Sequence, residues 1–269
     1  MSQSEYLFTL LGTGSSGGVP RINGDWGDCD PNEPKNKRTR CCALVERFSA
    51  DGGVTRILID TSPDLRTQLL LKDVPHIDAI VYTHDHADQV HGIDDVRPYA
   101  ILTRQAIPTF LSEETYNSLG SRFEYCFVGK GGYPAILDAQ PFFKPGIPFT
   151  VQGPGGEISL TPIEMIHGRI KCYGFRIGDL AYCNDVNEIS EASLQLADGV
   201  STFIVDALRY TPHPSHANLE QALSWVERLS PQRAILTNLH IDMDYATLRA
   251  TLPNGVEPAF DGQTISFAV

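Results

Sequence analysis

The sequence predicts an α/β protein built from two mixed sheets packed together and covered by helices. Two features carry that prediction. Apolar, β-rich runs fill the first half of the 269 residues, and strand and helix patterns alternate in the second. Tight turns separate some of the strands, so antiparallel pairs are mixed with the parallel pairing that alternation brings. The length suits a single domain over residues 1–269.

The elements follow in order. Tyr6 to Leu11 reads as a strand that ends in the glycine turn Gly12-Thr13-Gly14-Ser15-Ser16-Gly17-Gly18-Val19-Pro20. Charge and proline make Asp28 to Arg40 a long loop. Cys42 to Phe48 and Thr55 to Asp60 form a strand pair around Asp51-Gly52-Gly53, and Ser62-Pro63-Asp64 opens a helix through Leu71. Ile77 to Thr83 is a strand leading into His84; Ile107 to Leu111 and Glu113 to Leu119 read as strand and helix. Gly129 to Pro154, crowded with Gly and Pro, reads as an irregular cover, either a lid over the pocket or equally an ordinary surface loop. Strands are expected at Ile158 to Ile166, Cys172 to Ile177 and Leu180 to Cys183. Helix Ser190 to Leu196, strand Thr202 to Asp206, helix His216 to Leu229 and strand Ala234 to Leu239 come next. A short helix near Tyr245 and strands around Val256 and Ile265 close the chain.

Charge limits the partners. Twenty-one Lys and Arg against 33 Asp and Glu give a net charge of −12, which disfavours a groove for long nucleic acid but allows a local phosphate site. No apolar run approaches the roughly 20 residues of a membrane helix. Met1-Ser2-Gln3-Ser4-Glu5-Tyr6 has no basic stretch ahead of an apolar one, so a cytoplasmic location is expected. Six cysteines without a C-x-x-C pair, two of them the vicinal Cys41-Cys42, read as reduced, buried thiols.

Gly12-Thr13-Gly14-Ser15-Ser16-Gly17 fits G-x-G-x-x-G, yet no helix pattern follows to receive a pyrophosphate. A turn allowing close backbone approach is the better account. The chemistry-bearing segment is Thr83-His84-Asp85-His86-Ala87-Asp88-Gln89, at the end of an apolar strand. Imidazoles and a carboxylate at alternate positions suit Zn²⁺, Mn²⁺ or Fe. His167, Asp185 and His240 also stand where strands stop, which is where α/β folds gather functional groups.

Taken in order, Asp60, His84-x-His86-x-Asp88, His167, Asp185 and His240 resemble the five sequence motifs of the metallo-β-lactamase superfamily. The resemblance covers nearly the whole chain and implies a four-layer αββα sandwich, two mixed sheets covered by helices, with a dinuclear metal site on one edge. Gly12-Thr13-Gly14-Ser15 with Pro20, and His213-Pro214-Ser215-His216-Ala217-Asn218-Leu219-Glu220-Gln221-Ala222, resemble the phosphodiesterase branch, which includes tRNase Z and phosphoribosyl cyclic phosphodiesterase. By that similarity His84, His86 and His167 hold one divalent ion (Zn²⁺ or Mn²⁺), Asp88 and His240 the second, and Asp185 bridges them. Asp60 is the aspartate that supports the ligand loop, and His216, opening a helix, takes part in catalysis.

Two departures stand out. The family motif continues H-x-H-x-D-H, but position 89 is Gln, a weaker ligand, so the second ion site is uncertain, with Gln89 itself a candidate ligand. Only Cys29 stands in the N-terminal loop and Met243 lies three residues after His240, so no structural zinc is expected. The resemblance implies a hydrolase that cleaves a small nucleotide-like or cyclic phosphate ester by attack of a metal-bridging hydroxide. Asp88 would orient the nucleophile, and His216 would stabilise charge or protonate the leaving oxygen. Arg97 and Arg209 are candidates to grip phosphate through their planar guanidinium groups. Competing functions are thioester or lactone hydrolysis, tRNA 3′-end cleavage, and nucleotide binding without turnover. A homodimer is left open.

Overall fold

A computed structural model describes residues 5–269. Met1 to Ser4, part of the segment read above for a secretion signal, lie outside the described residues. The described residues form two seven-stranded sheets.

The first sheet takes β1 (Glu5–Gly12), β2 (Cys42–Phe48), β3 (Val54–Ile59), β4 (Ala79–Val81), β5 (Ile107–Phe110) and β6 (Leu137–Ala139). Strands β1 to β3 form an antiparallel meander, and β3 to β6 run parallel. The second sheet repeats the scheme. Antiparallel strands β7 (Phe149–Val151), β8 (Ile158–His167), β9 (Ile170–Ile177) and β10 (Leu180–Cys183) lead into β11 (Thr202–Asp206), β12 (Arg233–Thr237) and β13 (Val256–Pro258), parallel with β10. The last strand, β14 (Gln263–Phe267), returns to the outer side of β1 in the first sheet.

Period-two alternation explains why so many strands are apolar on both faces. On β3, Ile57 and Ile59 enter the core between the sheets, while Leu58 faces the outer helices. On β11, Ile204 enters that same core, and Phe203 and Val205 face the other helical layer. The first layer holds α1 (Leu65–Lys72), α2 (Ala87–Val90), α3 (Arg97–Thr103), α4 (Glu113–Arg122) and α5 (Glu124–Val128). The second holds α6 (Glu191–Leu194), α7 (Leu219–Leu229) and α8 (Tyr245–Thr251). The four-layer αββα architecture is therefore present. Among the described residues no helix is long and apolar enough to cross a membrane.

Three sequence expectations need correction. Helix α7 starts after Asn218, whose side chain accepts from the Gln221 N–H at 2.9 Å, so His216 lies in the preceding loop and does not open the helix. The stretch from Gly129 to Pro154 is not wholly irregular. It contains the edge strands β6 and β7, and Phe143 from it is buried in the core between the sheets. The helices α3 and α5 were not anticipated, because short helices with little apolar periodicity leave a weak pattern.

The glycine turn after β1 ties the two sheets together at one edge. Gly14 N–H donates to the Thr39 carbonyl at 2.8 Å, and Leu239 N–H, from the loop after β12, donates to the Thr13 carbonyl at 2.9 Å. A Cβ on Gly14 would stand 2.9 Å from the Arg38 Cβ, so the approach requires glycine.

Candidate metal centre and active site

At this edge the strands β4, β8, β10, β11 and β12 stop, and the loops after them supply the polar groups. His84 and His86 follow β4, and His167 is the last residue of β8. Their three rings pack edge to face with centroids 4.7, 4.8 and 5.2 Å apart, and their ligand nitrogens form one close group.

Hydrogen bonds fix which nitrogens are free. Asp60 Oδ1 accepts from the Thr83 N–H and Oδ2 from the Thr83 hydroxyl, both at 2.8 Å. With its proton committed to Asp60, the Thr83 hydroxyl can only accept from His84 Nδ1–H, at 2.9 Å. His84 Nε2 is then left unprotonated, and it is buried without a hydrogen-bond partner. His167 Nδ1–H donates to the Ser215 carbonyl at 2.6 Å, which aims its bare Nε2 at His86 Nδ1, 3.1 Å away. Three imidazoles, those of His84 and His167 buried and that of His86 exposed, thus converge in a group that could hold a metal ion. Burial lowers His84 well below the usual histidine range and His167 to about 4, keeping both in the neutral form that ligates metals. The donor set fits one divalent transition ion.

The surrounding charge points the same way. Burial pushes Asp60 up to about 8 and Asp185 well above the usual carboxylate range, a cost that a cation held by the histidines would offset. The loop between the two histidines is pinned from outside: Arg122 of α4 donates to the Asp85 carbonyl at 2.7 Å, and Ser118 donates to the Asp85 carboxylate.

The second expected ion site is different. Asp185 Oδ2 accepts from Gln89 Nε2 and Asn184 Nδ2, each at 2.8 Å, and Oδ1 accepts from Asn238 Nδ2 at 2.9 Å. Asp88 is half-buried and, among the described residues, belongs to neither close group of metal-competent residues. His240 faces elsewhere: its Nδ1 lies 2.9 Å from Asp242 Oδ1 and its Nε2 meets the Arg21 guanidinium. The left-handed conformation of Asn238, φ 62°, turns the chain so that Asn238 faces Asp185 and His240 faces the outer cleft. His240, expected as a ligand of the second ion, stands in this structure at the outer cleft beside Arg21.

His216 adjoins the cluster, its ring 4.5 Å from that of His167, and its Nδ1 lies 2.8 Å from Oδ2 of the fully buried Asp206. Burial alone would lower the His216 pKa, but Asp206, followed by Asp185, outweighs it and raises the group to about 9. The bond fixes Nδ1 as the donor and leaves Nε2 for another partner. A cleft of about 380 Å³ is lined by Ser15, Arg21, Arg209, His213, His216 and His240, among others. Arg209 is held there by the Thr211 and Pro212 carbonyls at 3.1 and 2.7 Å. Arg97 is not near it. That guanidinium, expected as a phosphate grip, pairs with Asp94 and lines a separate apolar cleft beside Ala100 and Tyr133.

Sequence reasoning missed Asp206, Arg21, Asn184 and Asn238. An aspartate closing the buried strand β11 was a usable signal; an arginine in a glycine-rich loop and two neutral amides gave none.

The model of the β-lactamase superfamily domain matches residues 55–241. A solved diphosphatase of the PhnP family is 32% identical, with a TM-score of 0.87 and 98% of each chain covered. Zn²⁺-bound PqqB from Methylobacterium extorquens shares the fold at 18% identity, with a TM-score of 0.74 over 96% of this chain and 99% of that one. An octanoyltransferase of Porphyromonas gingivalis (strain ATCC BAA-308 / W83) is 31% identical over 257 residues. The match takes in 94% of this chain but 50% of that protein, so the whole protein's activity is not carried to the shared half.

Proposed function

Because the chain belongs to the β-lactamase superfamily, we propose that it is a metal-dependent phosphodiesterase acting on a small nucleotide-like or cyclic phosphate ester. The observation that carries this reading is the cleft beside the histidine cluster, where Arg21, Arg209 and His213 set donors around His216. A phosphate ester brings charge that such donors neutralise, whereas a thioester or lactone brings none at its reacting centre. Similarity to the diphosphatase over the whole length of both chains supports chemistry at phosphorus.

His84, His86 and His167 would hold a divalent ion, which when bound would supply Lewis acidity and make water a better nucleophile. The protein's own residues do the rest. Arg21 and Arg209 hold the non-reacting phosphate oxygens and fix the ester in the cleft. Asp88, half-buried in the first turn of α2, accepts a hydrogen bond from the attacking water and takes its proton. His216, oriented by Asp206, presents Nε2–H to the leaving oxygen and gives it a proton as the P–O bond breaks. The buried carboxyl of Asp60 keeps His84 in the ligating tautomer through Thr83. The free, buried cysteines fit the cytoplasmic location proposed for the chain.

A panel of chromogenic phosphodiester, thioester and lactone substrates, assayed with added Mn²⁺ or Zn²⁺, tests the reading. Fastest turnover is expected on the phosphodiester. A thioester or lactone hydrolysed faster would overturn it in favour of acyl chemistry.

A further inference from the structure

We propose that this chain holds one metal ion, where the two-ion arrangement implied by its superfamily resemblance would hold two; the proposal rests on reading the histidine cluster as a metal centre. The reason lies in three amides. A carboxylate has about four lone-pair positions. On Asp185, Gln89 and Asn184 take both positions of Oδ2, and Asn238 takes one of Oδ1. The remaining position lies beside His167 and His216, with which Asp185 forms a close group. Asp185 can therefore support the ion of the three histidines but has nothing left to offer a second one.

The other donors of a second site are also missing. The amide nitrogen of Gln89 has no lone pair to give, and its oxygen is a neutral donor, buried without a hydrogen-bond partner. Flipping that amide would set its oxygen against the Asp185 carboxylate, so the orientation is chemically determined. His240 donates Nδ1–H to Asp242 and turns Nε2 to Arg21, which uses both ring nitrogens. What remains is the single carboxylate of Asp88 with one amide oxygen, too little for a tight transition-metal site. Charge that a second ion would bring to the substrate comes instead from Arg21, which His240 and Asp242 aim into the cleft. Three imidazoles with an open position match the ligand count of mononuclear hydrolytic centres.

Elemental analysis of protein saturated with Zn²⁺ or Mn²⁺ and then desalted tests this. One equivalent per chain is expected in the wild type, none in His84→Ala, and two in the double variant Gln89→His with Asn238→His. A Co²⁺ titration followed by visible absorption should saturate at one equivalent in the wild type. Two equivalents in the wild type, or none, would overturn the proposal, and a well-folded double variant that still holds one would overturn the amide explanation. Metal content also separates this inference from the phosphodiesterase reading. One equivalent without hydrolysis of any phosphodiester sustains the former and sinks the latter; two equivalents with hydrolysis does the reverse.

Discussion

Asp206 Oδ2 accepts a hydrogen bond from His216 Nδ1 at 2.8 Å and a second from the Val186 N–H at 3.0 Å. The carboxylate is thus anchored to the backbone of the loop after β10 and holds the imidazole from the far side. His216→Ala is expected to lower turnover of a phosphodiester by about 10²–10⁴-fold with metal content unchanged. Asp206→Asn should lower it as well, and the double variant should be no slower than His216→Ala, because Asp206 acts through the histidine. Steady-state kinetics with parallel metal analysis checks both. Loss of metal in His216→Ala would mean that this histidine is a ligand.

Thr83→Val should weaken metal binding by about 10–100-fold while keeping the fold, since it removes only the hydroxyl between Asp60 and His84. Competition with a chromophoric chelator measures the change. Equal affinity in wild type and variant would show that the Asp60–Thr83–His84 chain does not set the ligand tautomer.

Arg38 is 2% exposed, and its guanidinium reaches the Asn36 side chain at 3.2 Å, the Met243 carbonyl at 2.8 Å and the Cys29 sulfur at 3.7 Å. It joins the long loop before β2 to the segment after β12. Arg38→Met should cost about 2–4 kcal/mol, because it leaves several buried acceptors unpaired. The urea midpoint of unfolding reads this directly, and a shift below about 0.5 kcal/mol would refute the role.

Asp244 caps α8 and accepts from Thr247 N–H at 2.8 Å and Asn36 Nδ2 at 2.6 Å. Burial opposes its ionisation, but hydrogen bonds from Thr247, Asn36 and the Asp30 amide outweigh burial and hold the carboxyl at about 2. A folded value below the unfolded one means that the charged cap stabilises fully above about pH 4 and loses that effect as pH falls through 2. The group is partly solvated, so the contribution is about 1 kcal/mol. In Asp244→Asn the acid limb of stability between about pH 4 and pH 2 should be flatter by that amount, as urea titrations at each pH would show.

Much of the layered fold was legible because its strands are apolar on both faces and end in recognisable turns. The histidines were legible for a related reason: His84, His86 and His167 are polar residues at the ends of apolar strands. What escaped was decided by direction. His240 and Asn238 stand two residues apart, and a single left-handed residue determines which of them meets Asp185. Gln89 looked like a weak ligand, while in the fold it is a donor to a carboxylate. Arg21 and Arg97 are equivalent as sequence, and tertiary placement alone puts the first in the cleft and the second beside Asp94. Phe143 anchors the connection between the sheets from within a stretch whose glycines and prolines read as irregular.

The central claim is that the three histidines carry a metal-dependent attack on a phosphodiester. It is tested most directly by stripping the protein with a chelator, returning Mn²⁺ or Zn²⁺ stepwise, and recording hydrolysis of a chromogenic phosphodiester against equivalents added. The rate should be absent in stripped protein, rise with metal and level off at one equivalent, with His84→Ala inactive throughout. Hydrolysis that survives stripping, or none at any metal level, would contradict the claim.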